Sequence, residues 1–304
     1  MFKFCIRWSF ALLLIAPDET GFAQTLYLTP SADTALLETF PSNNFGGQLY
    51  LNAGTTQNFT KNRGLLKFDV AGQLPRNAKV TSARLTLEVT RSPSDDDHPS
   101  TFELRRVLRD WGEGNQSGQP PLLGAPATTN EANWSYRFAF TTNTWSVPGG
   151  ESGVDFANVA SGEQYIYGPN FSPYTFEANA QMTADVQNWL QQSANNFGWM
   201  LLTQSEGLNF TARRFASRED SGRAPILEVN YFVPQINQIT RGSNFVELKF
   251  PVEANQPYTV EFQIAFGQNS WQTLTNIPAS LEPTNWIVKD FLSNTQRSYR
   301  LVLP

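Results

Sequence analysis

The stretch Ser82-Ala83-Arg84-Leu85-Thr86-Leu87-Glu88-Val89-Thr90 alternates without a slip: Leu85, Leu87 and Val89 face one way, Arg84, Thr86, Glu88 and Thr90 the other. A period of two over this length marks a half-buried β-strand. Other runs of strand length are RGLLKFDV (63–70), FELRRVL (102–108), GWMLLTQ (198–204), NFTARRF (209–215) and PILEVNYF (225–232). Turn-rich segments such as PSNNFGG, SPSDDDHP and GQPPLLGAP separate them. Many short strands with such turns predict an all-β fold, an antiparallel sandwich or jelly roll. One short helix interrupts the pattern. In MTADVQNWLQQ, Met182, Val186, Trp189 and Leu190 recur at helical spacing, which predicts a helix plugging one end of the sandwich with Trp189.

After ILEVNYFVPQ the texture changes to a fresh set of runs: FVELKF, YTVEFQIAF, WQTLTNI, WIVKDF and SYRLVLP. We therefore expect a first domain over residues 24–232 and a small Ig-like β-sandwich over 233–304, with Trp271 as its central core contact. At the N-terminus, MFKFCIR carries cations and WSFALLLIA is an apolar run followed by PDETGFAQ. This pattern predicts a secretory signal peptide over residues 1–23. The run is short of the roughly 20 residues that span a bilayer, so no transmembrane anchor is expected in the mature chain. Cys5, the one cysteine, would leave with the signal, and the fold would hold without disulfides.

Composition excludes several functions. Charged residues make up 16% of the chain, against roughly 25% in ordinary soluble proteins. A net charge of -5 with no basic stripe argues against a nucleic-acid partner. His98 is the only histidine and sits in a polar turn, which removes histidine-rich zinc sites and a Ser-His-Asp triad. Paired carboxylates for glycoside hydrolysis would have to come from Asp110 with Glu113, or Glu219 with Asp220. Neighbours on a strand point to opposite faces, which disfavours the second pair. Asp95, Asp96 and Asp97 offer oxygens of the kind a structural Ca²⁺ takes; a solvated acidic loop is the competing reading, and no other cofactor is expected.

Sugars stack their C–H faces on aromatic rings and offer hydroxyls and carboxylates to polar side chains. The middle of the first domain concentrates Trp134, Tyr136, Trp145, Tyr165, Tyr167 and Tyr174. Trp134, Tyr136 and Arg137 are the candidate carbohydrate-binding residues, with loop or core packing as the alternative. The densest charge cluster, RRFASRED (213–220), reads as a fixed loop, with Arg214 or Arg218 pairing with Glu219, and not as a catalytic site.

Several segments in order carry a family resemblance: ADTALLETFPSNNFGGQLYLNAG, RGLLKFDVAGQLPRNAKVTSARLTLEVT, RVLRDWGEGN, ANWSYRF with WSVPGG, ADVQNWL, NNFGWMLL and RRFASREDSGRAPILEVNY. Together they resemble the DNRLRE domain family, also described as carbohydrate-binding module family 96. That resemblance implies a jelly-roll sandwich on exported proteins, and some members bind acidic polysaccharides such as alginate. The C-terminal part resembles the small sandwich modules that end many exported bacterial proteins. The leading functional reading is a secreted, non-catalytic protein that recognises an extracellular polysaccharide, with uronate carboxylates as partners for its arginines. A structural surface or matrix adhesion protein is the alternative, and a hydrolase or lyase the third.

Overall fold

The computed structural model describes residues 23–94, 96–118, 123–264, 270–291 and 297–303. Residues 1–22 of the expected signal peptide and Asp95 lie outside the described residues. Two compact units emerge, Ala23–Val233 and a second from Pro234 onward.

The first unit holds strands β1 (Gln24–Leu28), β2 (Ala32–Leu37), β3 (Asn43–Asn44), β4 (Tyr50–Thr55), β5 (Lys61–Lys67), β6 (Lys79–Leu87) and β7 (Val89–Arg91). There follow β8 (Ser100–Val107), β9 (Ala125–Pro126), β10 (Phe156–Ile166), β11 (Tyr174–Phe176), helix α1 (Ala180–Gln191), β12 (Trp199–Thr203), β13 (Arg213–Ala216) and β14 (Ile226–Phe232). They build a four-stranded sheet, β1-β14-β6-β11, and an eight-stranded sheet, β10-β8-β12-β5-β4-β13-β7 with β2 also on β5. All pairings between these strands are antiparallel. The fold is an all-β sandwich.

SARLTLEVT is more than one strand. Its first part closes β6 in the small sheet, while Val89 opens β7 in the large one. The chain changes sheets at Glu88, whose carbonyl accepts the Ala216 amide and whose carboxylate accepts the Ser172 hydroxyl. Leu85, Leu87 and Val89 nevertheless share one core, so the alternation survives the corner. NFTARRF is shorter than expected, because residues 209–212 form a turn and β13 begins at Arg213. Helix α1 is capped by the Asn179 side chain, which accepts the Met182 amide. It buries Met182, Val186, Trp189 and Leu190, with Trp189 4.5 Å from Trp199 between ring centroids. Among the described residues no helix is long and apolar enough to cross a membrane.

The middle of the large sheet, β2, β5 and β12, is buried on both faces. Ala35, Leu37, Leu66, Trp199 and Leu201 pack inward against the small sheet. Their neighbours Leu36, Leu65, Met200 and Leu202 point outward into a second cluster with Trp111, Trp134, Trp145 and Phe156. That second cluster is supplied largely by the long connection between β8 and β10, which folds over the outer face.

The second unit holds β15 (Gln238–Arg241), β16 (Phe245–Val252), β17 (Tyr258–Gln263), β18 (Gln272–Ile277), β19 (Thr284–Phe291) and β20 (Ser298–Val302), in sheets β15-β16-β19 and β18-β17-β20. Leu248, Phe250 and Val252 from one sheet and Tyr258, Val260 and Ile277 from the other are buried. Trp271 is not the centre of this core. It is half-exposed under the Arg300 guanidinium, 4.3 Å from its ring centroid. Fully buried Tyr258 takes the inner place, its hydroxyl accepting the Glu253 amide.

Candidate functional site

On the large sheet, β4, β13 and β7 bring Asn52, Arg214 and Arg91 opposite one another in register. Residues opposite each other across antiparallel strands share a face, and like charges so placed repel. Arg214 lies over the Tyr50 ring, 4.2 Å from its centroid. Burial, reinforced by the Arg91 charge and opposed by Tyr50, holds its pKa below the ordinary guanidinium value. Among the described residues, neither arginine has a carboxylate within ion-pair distance. Asn52 Oδ1 is buried without a hydrogen-bond partner. With Thr56, Asn62, Ser92 and Pro93 these side chains line a cleft of about 180 Å³.

An aromatic shelf stands at the end of β10 and on the turn that follows it. Tyr165, Tyr167 and Phe171 are 46%, 50% and 68% exposed, with successive ring centroids 5.0 and 5.4 Å apart. The turn carrying Phe171 packs beside β7. Arg213, which also lines the cleft, ties the shelf to β13 by donating from Nε and Nη2 to the Tyr167 carbonyl at 3.0 and 2.6 Å. Its guanidinium is itself buried and pairs with Asp97 at 2.5 Å. Tyr174, counted among the candidate stacking rings, is buried. Its hydroxyl donates to the Gly168 carbonyl and accepts the amides of Tyr167 and Gly168, which fixes the turn.

The expected trio Trp134, Tyr136 and Arg137 does not form one site. Trp134 is buried in the outer core, because Gly149, at φ +87°, closes over it so tightly that a Cβ would meet the indole. Its ring cannot stack on a sugar. Arg137 donates to the carbonyls of Thr144 and Asp110 and so fastens its own loop. Burial and the nearby Arg109 charge lower its pKa. Arg137 is half-buried and Tyr136 is exposed.

The RRFASRED cluster forms a junction. Arg218 Nε lies 3.0 Å from Glu219 and 2.8 Å from Glu113, and its Nη1 donates to the Ser31 carbonyl. Its backbone amide donates to Asp33, whose own amide donates to Glu113. Arg214 does not join the junction. Burial pushes the pKa of Asp33 well up, with Glu219 and Glu113 adding to it against the amide of Arg218. Glu113 is raised mainly by burial. Asp33, Glu113 and Glu219 bring oxygens within 4.8 Å of one another and could hold a hard cation, but Arg218 already provides a positive charge against two of them.

The carboxylate pairs considered from sequence are separated by their surroundings. Glu113 faces Arg218, while Asp110 accepts the amide of Trp111. Asp220 pairs with Arg223. In the acidic turn, Asp97 faces Arg213 and Asp96 lies 3.1 Å from His98.

Residues 24–138 match the model of carbohydrate-binding module family 96, in agreement with the resemblance drawn from the motifs. The match covers Asn52, Arg91, Asp33, Glu113 and Tyr136, and it ends inside the first unit, short of β10. It does not reach the C-terminal sandwich. No curated protein matches the chain.

Proposed function

We propose that this chain is a secreted, non-catalytic polysaccharide-binding protein, and that its ligand carries carboxylate groups. The observation that carries the reading is the cross-strand pair Arg91 and Arg214, two cations with no carboxylate partner among the described residues, on a sheet edge against which the turn of exposed Phe171 packs. A guanidinium pairs bidentately with a uronate carboxylate, and exposed Tyr165, Tyr167 and Phe171 would supply the stacking surface. Mutual repulsion of the arginines would be relieved by an anion between them. The family match to residues 24–138 supports carbohydrate as the ligand class.

The test is retention of the protein in native gels containing alginate or polygalacturonate. Arg91→Ala with Arg214→Ala is expected to weaken retention at least tenfold, a loss of about 1.4 kcal/mol. Retention should also fall as salt rises, because these charges are accessible to screening ions. Unchanged mobility of the double variant would overturn this assignment, and absence of any saturable retention would favour the structural adhesion reading. Expressed with its native N-terminus, the chain should be recovered outside the cytoplasm.

A further inference from the structure

A second cleft, of about 260 Å³, lies elsewhere on the first unit, lined by Pro41, Ser42, Pro126, Ser135, Tyr136 and Phe140 among others. No charged side chain lines it. Phe140 is 77% exposed and sits at φ +58°, where a bulky side chain is disfavoured. Neither the exposed ring nor the left-handed backbone helps the fold, and such strain persists only where the surroundings enforce it. Here they do. Just before Phe140, Ala139 donates to the Glu131 carbonyl and accepts the Asn130 amide; just after, the Thr141 hydroxyl donates to Phe138.

Tyr136 is held as firmly. Its amide donates to the buried Asn133 side chain, and its carbonyl accepts the Asn133 amide. The hydroxyls of Ser42 and Ser135 make no protein hydrogen bond among the described residues. The cleft thus combines two exposed rings on a rigid support, two free hydroxyls and no charge. Its volume falls just below the roughly 300–1,000 Å³ of drug-sized ligand sites, a scale suited to a single sugar ring.

We propose that the Tyr136–Phe140 cleft is a second saccharide site, which takes an uncharged pyranose by stacking on the rings and hydrogen bonding to Ser42 and Ser135. This goes beyond the acidic-polysaccharide reading and rests on different residues. The protein would then bind an acidic and a neutral chain through separate surfaces.

The experiment runs the full mature chain in native gels containing xyloglucan, galactomannan, mixed-linkage β-glucan or starch, with alginate as the acidic arm. At least one neutral polysaccharide should retain the protein, equally at low and high salt. Phe140→Asn and Tyr136→Ser should each weaken that retention at least tenfold and leave alginate retention unchanged. Asparagine tolerates the left-handed backbone, so Phe140→Asn should melt no lower than the parent while losing the ligand, which separates binding from folding. If none of the four neutral polysaccharides retains the protein, or if retention survives both variants, the proposal is overturned. Arg91→Ala with Arg214→Ala should leave the neutral arm unmoved, so the two site assignments fail independently.

Discussion

The two faces of the large sheet are covered by different physics. On the inner face a second sheet supplies Leu85, Leu87, Leu227 and Val229, and its backbone groups are satisfied within its own ladder. On the outer face an irregular connection supplies Trp111, Trp134 and Trp145. Such a segment has no regular ladder: part of its backbone pairs locally, as where Gly149 donates to the Trp134 carbonyl and Ala132 to that of Gly112, and buried polar side chains satisfy groups that remain. Arg63, 8% exposed, donates to the carbonyls of Gly149 and Gly150 at 2.8 Å and pairs with Glu206 at 2.7 Å. Fully buried Asp155 accepts the amides of Ser146 and Glu151. A sheet needs only apolar residues to cover another sheet; a loop needs buried polar pins as well.

Truncation of the outer cover is the strongest way to break this comparison. Trp134→Ala should cost about 3–5 kcal/mol in denaturant unfolding, the range for large buried aromatics and comparable with Trp199→Ala on the inner side. A cost under about 1 kcal/mol would make the cover a loose flap instead of half the core. Arg63→Ala comes next, at about 3 kcal/mol, for a broken buried pair that also deprives two carbonyls of a donor. Burial alone would raise the Glu206 pKa, yet Arg63 and Lys61 outweigh it and the net shift is downward. The stabilisation is therefore present above the unfolded carboxylate pKa and is lost as pH falls through the lower folded value. The gap between parent and Arg63→Ala in a urea titration should narrow at acid pH. No narrowing would mean that packing against Trp134 and Phe156 dominates.

The smallest effect has the opposite sign. The Asp33 pKa is raised in the folded state, so its charge costs stability above that value, and the cost disappears as pH falls and the group takes up a proton. Asp33→Asn keeps an acceptor for the Arg218 amide and removes one of three neighbouring carboxylates. Its melting temperature should exceed the parent's by about 2–4 °C near pH 8, the shift expected per kcal/mol in a domain of this size. The difference should close towards pH 4. A lower melting temperature for the variant at pH 8 would show that the carboxylate cluster is stabilising.

Much of the fold was legible because burial has a period. The alternation in β6 and the helical spacing of α1 both located core positions that are buried. The adjacent apolar residues Leu36–Leu37, Leu65–Leu66 and Met200–Leu201–Leu202 carried a signal of two-sided burial. Given weight, it would have placed Trp134 and Trp145 inside, because something apolar had to cover the outer face. Trp271 misled for a related reason: size alone does not assign a ring to a core when an arginine can cap it at the surface.

The sequence by itself determined the class of fold, the family resemblance and the segments that alternate, since each depends on neighbours along the chain. Only the tertiary structure decided which side chains meet. Arg91 opposes Arg214 because β7 and β13 pair in one register. Glu113 reaches Glu219 through Arg218 because two distant loops converge. Tyr136 is exposed while Trp134 is buried because the intervening turn is pinned by Asn133. Register and loop closure are properties of the packed chain, and no local period encodes them.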